Sequence, residues 1–296
     1  VGSRRIRIAA RENFIRSIPA MAKKKNRIHY RQGTELVSMR QAGRIAAEIL
    51  AETAKLVKSG ISTGEIDAAA AALMAERDCR SAFLGYRKFP GHICISINEE
   101  VVHGIGSERR IIKERDLVKI DIGIVTRDGW VGDNAMTVPA GSPTREALRL
   151  MFATEESLAA AIAHAYAGNR LADLCTAVED CVEGYGYTVV REMVGHGVGR
   201  QLHEEPQVPN YWDRLTMGAG PKLAPGMILA IEPMINAGAA EIEILEDKWT
   251  AVTADRALSA HFEHTVLITE GEPEILTPRN RLVARAALET PEAIPA

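Results

Sequence analysis

The chain has 296 residues, 46% of them hydrophobic and 25% charged, enough to bury a substantial core as one large domain or two tightly packed halves. No uninterrupted apolar run approaches the roughly 20 residues that span a bilayer. Four cysteines without a CxxC pair (Cys79, Cys94, Cys175 and Cys181) argue against a disulfide scaffold.

The net charge of −3 conceals an asymmetry. Residues 1–31 carry ten Lys/Arg against one acid, Glu12, so this leader is +9 and the remaining 265 residues are −12. Composition therefore predicts a soluble, cytoplasmic protein with free thiols. A basic, disordered extension is expected over 1–31, followed by one folded unit over 32–296. An Arg-rich, acid-poor start is also compatible with an organelle transit peptide, and a basic tail with contact to nucleic acid or a ribosome. A solvated tail without a partner is the third alternative. The first residue is Val1, and Met21-Ala22-Lys23 would make a natural alternative start.

In chain order, Thr34 is expected to cap a helix running to about Lys58, with Leu36, Met39, Ile45 and Ile49 as its apolar stripe and Gly60 as its end. Ser62 with Glu65 three residues on reads as a capping box opening an Ala-rich helix to about Arg77. From Ile93 to Val138 short β-branched runs predict strands. Within them Ile120, Ile122 and Ile124 alternate with Asp121 and Gly123, and Asp128-Gly129 signals a turn, so Lys119–Val138 should be a hairpin. An odd-length loop near Arg127 puts Asp121 and Asp133 on one face, directly opposed or one diagonal step apart, within about 8 Å. Ser142-Pro143 opens a further helix burying Leu148, Met151, Phe152 and Leu158. Another covers Leu171–Glu183 and stops at Gly184. Strand and loop follow from Gly186 to about Leu276, and Glu289–Ala296 is expected to fray. Two helices, strands, two helices, strands: the order predicts an α+β protein of two related α/β halves around a shared, mostly antiparallel sheet.

Five metal-seeking side chains stand out in this framework: Asp121 in KIDIG, Asp133 in GDN, His196 in GHGVG, Glu232 in IEPM and Glu263 in FEHT. Two aspartates side by side on an apolar sheet repel unless a cation neutralises them. Glu232 and Glu263 sit inside strand-like apolar segments, where an unpaired carboxylate costs several kcal/mol. Four carboxylates and one imidazole suit two bridged divalent ions better than one structural zinc. Two ions about 3.5–4 Å apart make a shared water nucleophilic near neutral pH, so the chain reads as a two-metal hydrolase. His196 and His203 are seven residues apart, but Gly195, Gly197 and Gly199 argue against a helix between them. The glycines let backbone crowd a metal or a substrate chain. Taken alone, His103 reads as a core histidine.

The segments CISINEEVVHGI, KIDIG, DGWVGDNA, VGHGVGRQLHEEPQVPNY, IEPMINAG and DRALSAHFEHT together closely resemble the type I methionine aminopeptidases of the pita-bread metallopeptidase superfamily, from about Thr34 to Leu276. The 29-residue gap from His203 to Glu232 has no room for the helical insert of the type II enzymes, and no N-terminal zinc-finger cysteine set is present. The resemblance implies a pita-bread catalytic domain over 32–296 that removes the N-terminal methionine of nascent chains, preferring a small second residue. It implies two divalent ions (Co, Mn, Fe or Zn): Asp121 on one, His196 and Glu232 on the other, Asp133 and Glu263 bridging. It further implies that His103 hydrogen-bonds the reacting peptide, that His203 stabilises the scissile carbonyl, and that Glu232 also shuttles a proton. A methionine pocket walled by Phe83, Tyr86, Phe89, Cys94, Leu202 and Trp249, together with His103 and His203, would suit a polarizable thioether. A monomer is the expected state.

Three departures qualify the resemblance. Asp121 and Asp133 are 12 apart where about 11 is usual, Leu202 stands where Phe is common, and Phe83 and Phe89 replace more usual neighbours. Prolidase-like relatives carry a separate N-terminal domain that this chain lacks, and creatinase-like ones need no such ligand set. The rival from another class is a catalytically weak binding protein of this fold that acts through its basic tail.

Overall fold

The computed structural model describes residues 27–283. The alternative start at Met21, most of the leader and the Glu289–Ala296 stretch lie outside the described residues. Helix α1 spans Thr34–Ala54 and α2 Thr63–Glu76. The first group of strands follows: β1 (Cys79–Ser81), β2 (Cys94–Ile97), β3 (Glu100–Val102), β4 (Leu117–Thr126) and β5 (Val131–Pro139). Helices α3 (Arg145–Ala163) and α4 (Leu171–Glu183) precede a second group: β6 (Thr188–Val189), β7 (Gly195–Gly197), β8 (Glu204–Val208), then a one-turn helix α5 (Arg214–Met217), β9 (Ile228–Ile231) and β10 (Met234–Asn236). The hairpin of β11 (Ile242–Ile244) and β12 (Ala251–Thr253) leads to β13 (Ser259–His261), β14 (His264–Leu267) and β15 (Glu274–Ile275). None of the helices described is long and apolar enough to cross a membrane.

The local signals explain most boundaries. Ser62 and Glu65 form the capping box, each side chain accepting the other's backbone N–H at 3.1 and 2.8 Å. Helix α4 covers the expected Leu171–Glu183, its buried Leu171, Leu174, Cys175, Val178 and Val182 recurring at helical spacing. Two starts differ from expectation. Thr34 is the first helical residue, with Gly33 at φ 52 in the cap position, and Pro143 stands before α3, which Thr144 caps by accepting from the Ala147 N–H. Helix α1 also stops early, at Ala54. The Leu56 and Val57 N–H groups bond three residues back, to the carbonyls of Thr53 and Ala54, which tightens the chain before Gly60.

Among the described residues every strand pairing is antiparallel, and the strands form four sheets: β1-β4-β2 with β5 on β4, β13-β10-β6, β11-β12-β3, and β15-β14-β9-β7-β8. Helix α1 covers β4 and β5, while α3 and α4 pack together over the second group. The two groups meet along β5. There the Glu263 N–H donates to the Ala135 carbonyl at 2.9 Å, Thr137 exchanges two hydrogen bonds with the His261 backbone, and the Thr265 hydroxyl donates to the Asp133 carbonyl at 2.7 Å. This seam brings residues more than 120 positions apart into contact.

Close approach of α1 to β5 depends on Gly132. A Cβ there would lie 2.3 Å from the Ala42 carbonyl oxygen, which is helix backbone and cannot turn aside. Gly132→Ala is therefore expected to lower stability by about 1–3 kcal/mol, read as a lower denaturant midpoint. An unchanged midpoint would show that α1 and β5 tolerate more separation than the packing implies.

Candidate metal centre

The hairpin β4–β5 places the first two acids. Its register pairs Asp121 with Ala135 and Gly123 with Asp133, so the two aspartates stand one diagonal step apart on the same face. The turn is the three-residue loop Arg127-Asp128-Gly129, with Gly129 at φ 83. With the two aspartates 12 positions apart, this odd-length turn keeps both carboxylates on one side.

The other three ligand candidates come from the second group of strands. His196 is the middle residue of β7, between β8 and β9. The flanking glycines make room for that position: a Cβ on Gly195 would meet the Ala230 carbonyl oxygen at 2.4 Å, and one on Gly197 the Glu205 carbonyl oxygen at 2.3 Å. Glu232 follows β9, and Glu263 lies between β13 and β14. One ligand atom each of Asp133, His196 and Glu263 falls within 4.8 Å of the others. His196 Nε2 is 3.5 Å from Glu232 Oε1 and 3.7 Å from Asp133 Oδ2.

The chemistry of the donor set fits divalent cations. His196 Nδ1 lies 3.0 Å from the Gly197 carbonyl, which can only accept, so Nδ1 carries the proton and the bare Nε2 lone pair faces the acids. Asp121 Oδ1, Asp133 Oδ1 and Glu263 Oε1 are buried without a hydrogen-bond partner. Burial pushes the Asp121 carboxyl up to about 7. Burial, and then the neighbouring carboxylates, drive Asp133, Glu232 and Glu263 well above the ordinary range. Burial lowers His196 to about 4, so it stays neutral at pH 7. Unpaired acids beside a neutral imidazole nitrogen are the arrangement a metal ion relieves.

Beside these groups lies an aromatic wall. Phe89 and Trp249 meet edge to face at 5.1 Å, and the His103 ring stands 6.3 Å from Trp249. Phe83 packs over Gly123, where a Cβ would lie 2.4 Å from its ring. Cys94 pairs with Asp121 across β2 and β4, its thiol pushed up by burial and by Asp121 and Asp133. Leu202 is buried in the same core. The His203 ring meets that of His196 edge to face, with centroids 4.2 Å apart, and its Nδ1 is 2.7 Å from the Tyr86 hydroxyl. His103 has φ 61, a left-handed conformation that is costly for a side chain with a Cβ, and burial lowers its imidazole to about 4.

His261 escaped the sequence reading. Its Nε2 is 3.8 Å from Glu232 Oε2, and neither ring nitrogen has a hydrogen-bond partner. The available signal was its place in S-A-H-F-E-H, a polar ring in the same apolar strand segment as Glu263.

The shifts fix the sign of a pH dependence. The Asp121 carboxyl, raised to about 7, still holds part of its proton at pH 7, and ligation requires its loss. Binding of Mn at pH 7 should therefore release protons, and affinity should rise with pH. Titration calorimetry in buffers of different ionisation enthalpy measures this; a heat independent of buffer would contradict the electrostatic account.

The family model for metallopeptidase family M24 matches residues 37–270. Methionine aminopeptidase 1 of Bacillus subtilis is 46% identical over 243 residues, covering 82% of this chain and 96% of that protein. The crystal structure of the methionine aminopeptidase from Thermotoga maritima superposes with a TM-score of 0.82 at 40% identity, covering 86% of this chain and all of that one. The prolidase from Pyrococcus furiosus shares the fold, with a TM-score of 0.69 at 23% identity, but only 66% of its chain is covered. The chain belongs to metallopeptidase family M24, alongside the methionine aminopeptidases.

Proposed function

We propose that this chain is a metal-dependent aminopeptidase that removes the N-terminal methionine of nascent proteins and peptides, with a preference for a small second residue. The observation that carries this reading is the convergence of four carboxylates and the bare His196 nitrogen beside the Phe89–Trp249 wall. In this reading Asp121 would hold one divalent ion, His196 and Glu232 would hold the other, and Asp133 and Glu263 would serve both. When bound, the ions (Co, Mn, Fe or Zn) would supply Lewis-acid activation of a water and of the scissile carbonyl.

The remaining steps belong to side chains. Glu232 takes the proton of the attacking water and passes it to the leaving amine, a familiar task for a positioned carboxylate. With the Tyr86 hydroxyl donating to Nδ1 of His203, its Nε2–H is the free donor toward the carbonyl oxygen as it gains charge. His103, held beside Trp249, donates to the reacting peptide. Phe83, Tyr86, Phe89, Cys94, Leu202 and Trp249 enclose the methionine thioether, which favours polarizable walls. In this reading residues 32–296 are the catalytic domain of a cytoplasmic monomer, and the +9 leader offers a contact to the ribosome.

Chelator-stripped protein should release free methionine from Met-Ala-Ser only after addition of Mn, Fe, Co or Zn. Absence of release with every ion would contradict the reading and favour a binding protein acting through its leader. Asp133→Ala removes a bridge and should lower kcat by about a thousandfold or more. Near-parental turnover with two ions still bound would sink that assignment.

A further inference from the structure

Lys119 is among the largest fully buried side chains of the protein, 2% exposed, and no step above uses it. It lies on β4 two residues before Asp121, so both side chains leave the same face of the strand. Lysine is almost never buried this deeply unless its amino group has partners. Here Nζ donates to the Asn98 carbonyl at 2.6 Å and to the Ser259 carbonyl at 3.1 Å.

Both acceptors are backbone, and both belong to segments that lead into the site. Asn98 opens the turn between β2 and β3, and β3 runs straight to His103. Ser259 opens β13, which delivers His261 and then Glu263. The Asn98 carbonyl also accepts the Ser259 N–H at 3.0 Å, so the amino group sits where the first-half turn and the second-half strand are themselves joined. The turn is rigidly held. Asn98, at φ 54, donates from Nδ2 to Asp116 at 2.8 Å and accepts the Leu117 N–H at 2.9 Å. Glu100, the first residue of β3, is already engaged by the Ile97 N–H and by Arg110.

We propose that Lys119 is a positioning residue for the hydrolysis: its amino group cross-links β4, the Asn98 turn and β13, and so sets Asp121, His103 and Glu263 against one another. This assignment rests on the reaction proposed above. A methionine of similar length would fill the volume without the cost of burying an amine. What it cannot do is draw two carbonyl oxygens from different halves toward one point.

The test compares the parent with Lys119→Met and Lys119→Ala at saturating metal. Lys119→Met should lower kcat about tenfold or more while KM stays within about twofold, because misplaced groups cost the chemical step more than binding. In Lys119→Ala, methylammonium should restore part of kcat, whereas tetramethylammonium at equal ionic strength, lacking N–H donors, should not. A Lys119→Met kcat within about twofold of the parent would overturn the assignment, as would equal restoration by both salts. Where Lys119→Ala is unfolded in plain buffer, recovery of the near-UV signal and turnover with methylammonium alone supports it. Recovery with neither salt, or with both, contradicts it. An inactive parent would instead overturn the reaction itself.

Discussion

Four carboxylates gathered in a buried site set the terms for the rest of this structure. Two unit charges 4 Å apart cost about 4 kcal/mol even at an effective dielectric constant near 20. Several such pairs would consume a typical domain stability of about 5–15 kcal/mol. The acids therefore need either protons or cations: their carboxyls are raised, and Asp121 Oδ1, Asp133 Oδ1 and Glu263 Oε1 are buried without a hydrogen-bond partner. A site that holds divalent ions is a site that is strained without them. The two halves share the burden, since Asp121 and Asp133 come from the first and His196, Glu232 and Glu263 from the second.

Such a site works only if its candidate ligands cannot retreat from one another, and the surrounding hydrogen bonds act on the backbones of Asp133, Glu232 and Glu263 directly. Thr265 holds the Asp133 carbonyl, Asn210 the Glu232 carbonyl at 3.1 Å, and Arg279 the Glu263 carbonyl at 2.9 Å. His196 is fixed through its own neighbour, Gly197. The loop before His203 is clamped likewise: Glu204 accepts from the Arg200 and Gln201 N–H groups and from the guanidinium of Arg31. Arg31, counted with the leader by composition, is thus buried and bonded in the folded body. The bonds from Thr265, Asn210 and Arg279 restrain main chain, which leaves the side-chain oxygens of Asp133, Glu232 and Glu263 free for ligation.

Local signals carried much of the fold and the five candidate ligands, whereas the pocket residues and the roles of His103 and His203 came from the resemblance. The period-two run around Asp121, the Asp128-Gly129 turn and the Ser62–Glu65 box each act over a few residues, and each reappears as written. The acids were legible because a carboxylate in an apolar strand is conspicuous wherever the strand goes. Partnerships across long separations were not legible. The Lys119 amino group meets Ser259 from 140 positions away, and Thr137 meets His261 from 124. Nothing beside Lys119 in KIDIG distinguishes a buried cross-link from a solvated edge residue. The early stop of α1 at Ala54 also reflects neighbours, since Gly60 is already bonded to Ile112 of a later segment.

Anomalous diffraction from crystals grown with Mn tests the central claim most directly. Two peaks about 3–4 Å apart, each within ligand distance of both Asp133 and Glu263, are the predicted result. A single peak, or density that leaves either acid out, would contradict a two-metal centre built on those bridges.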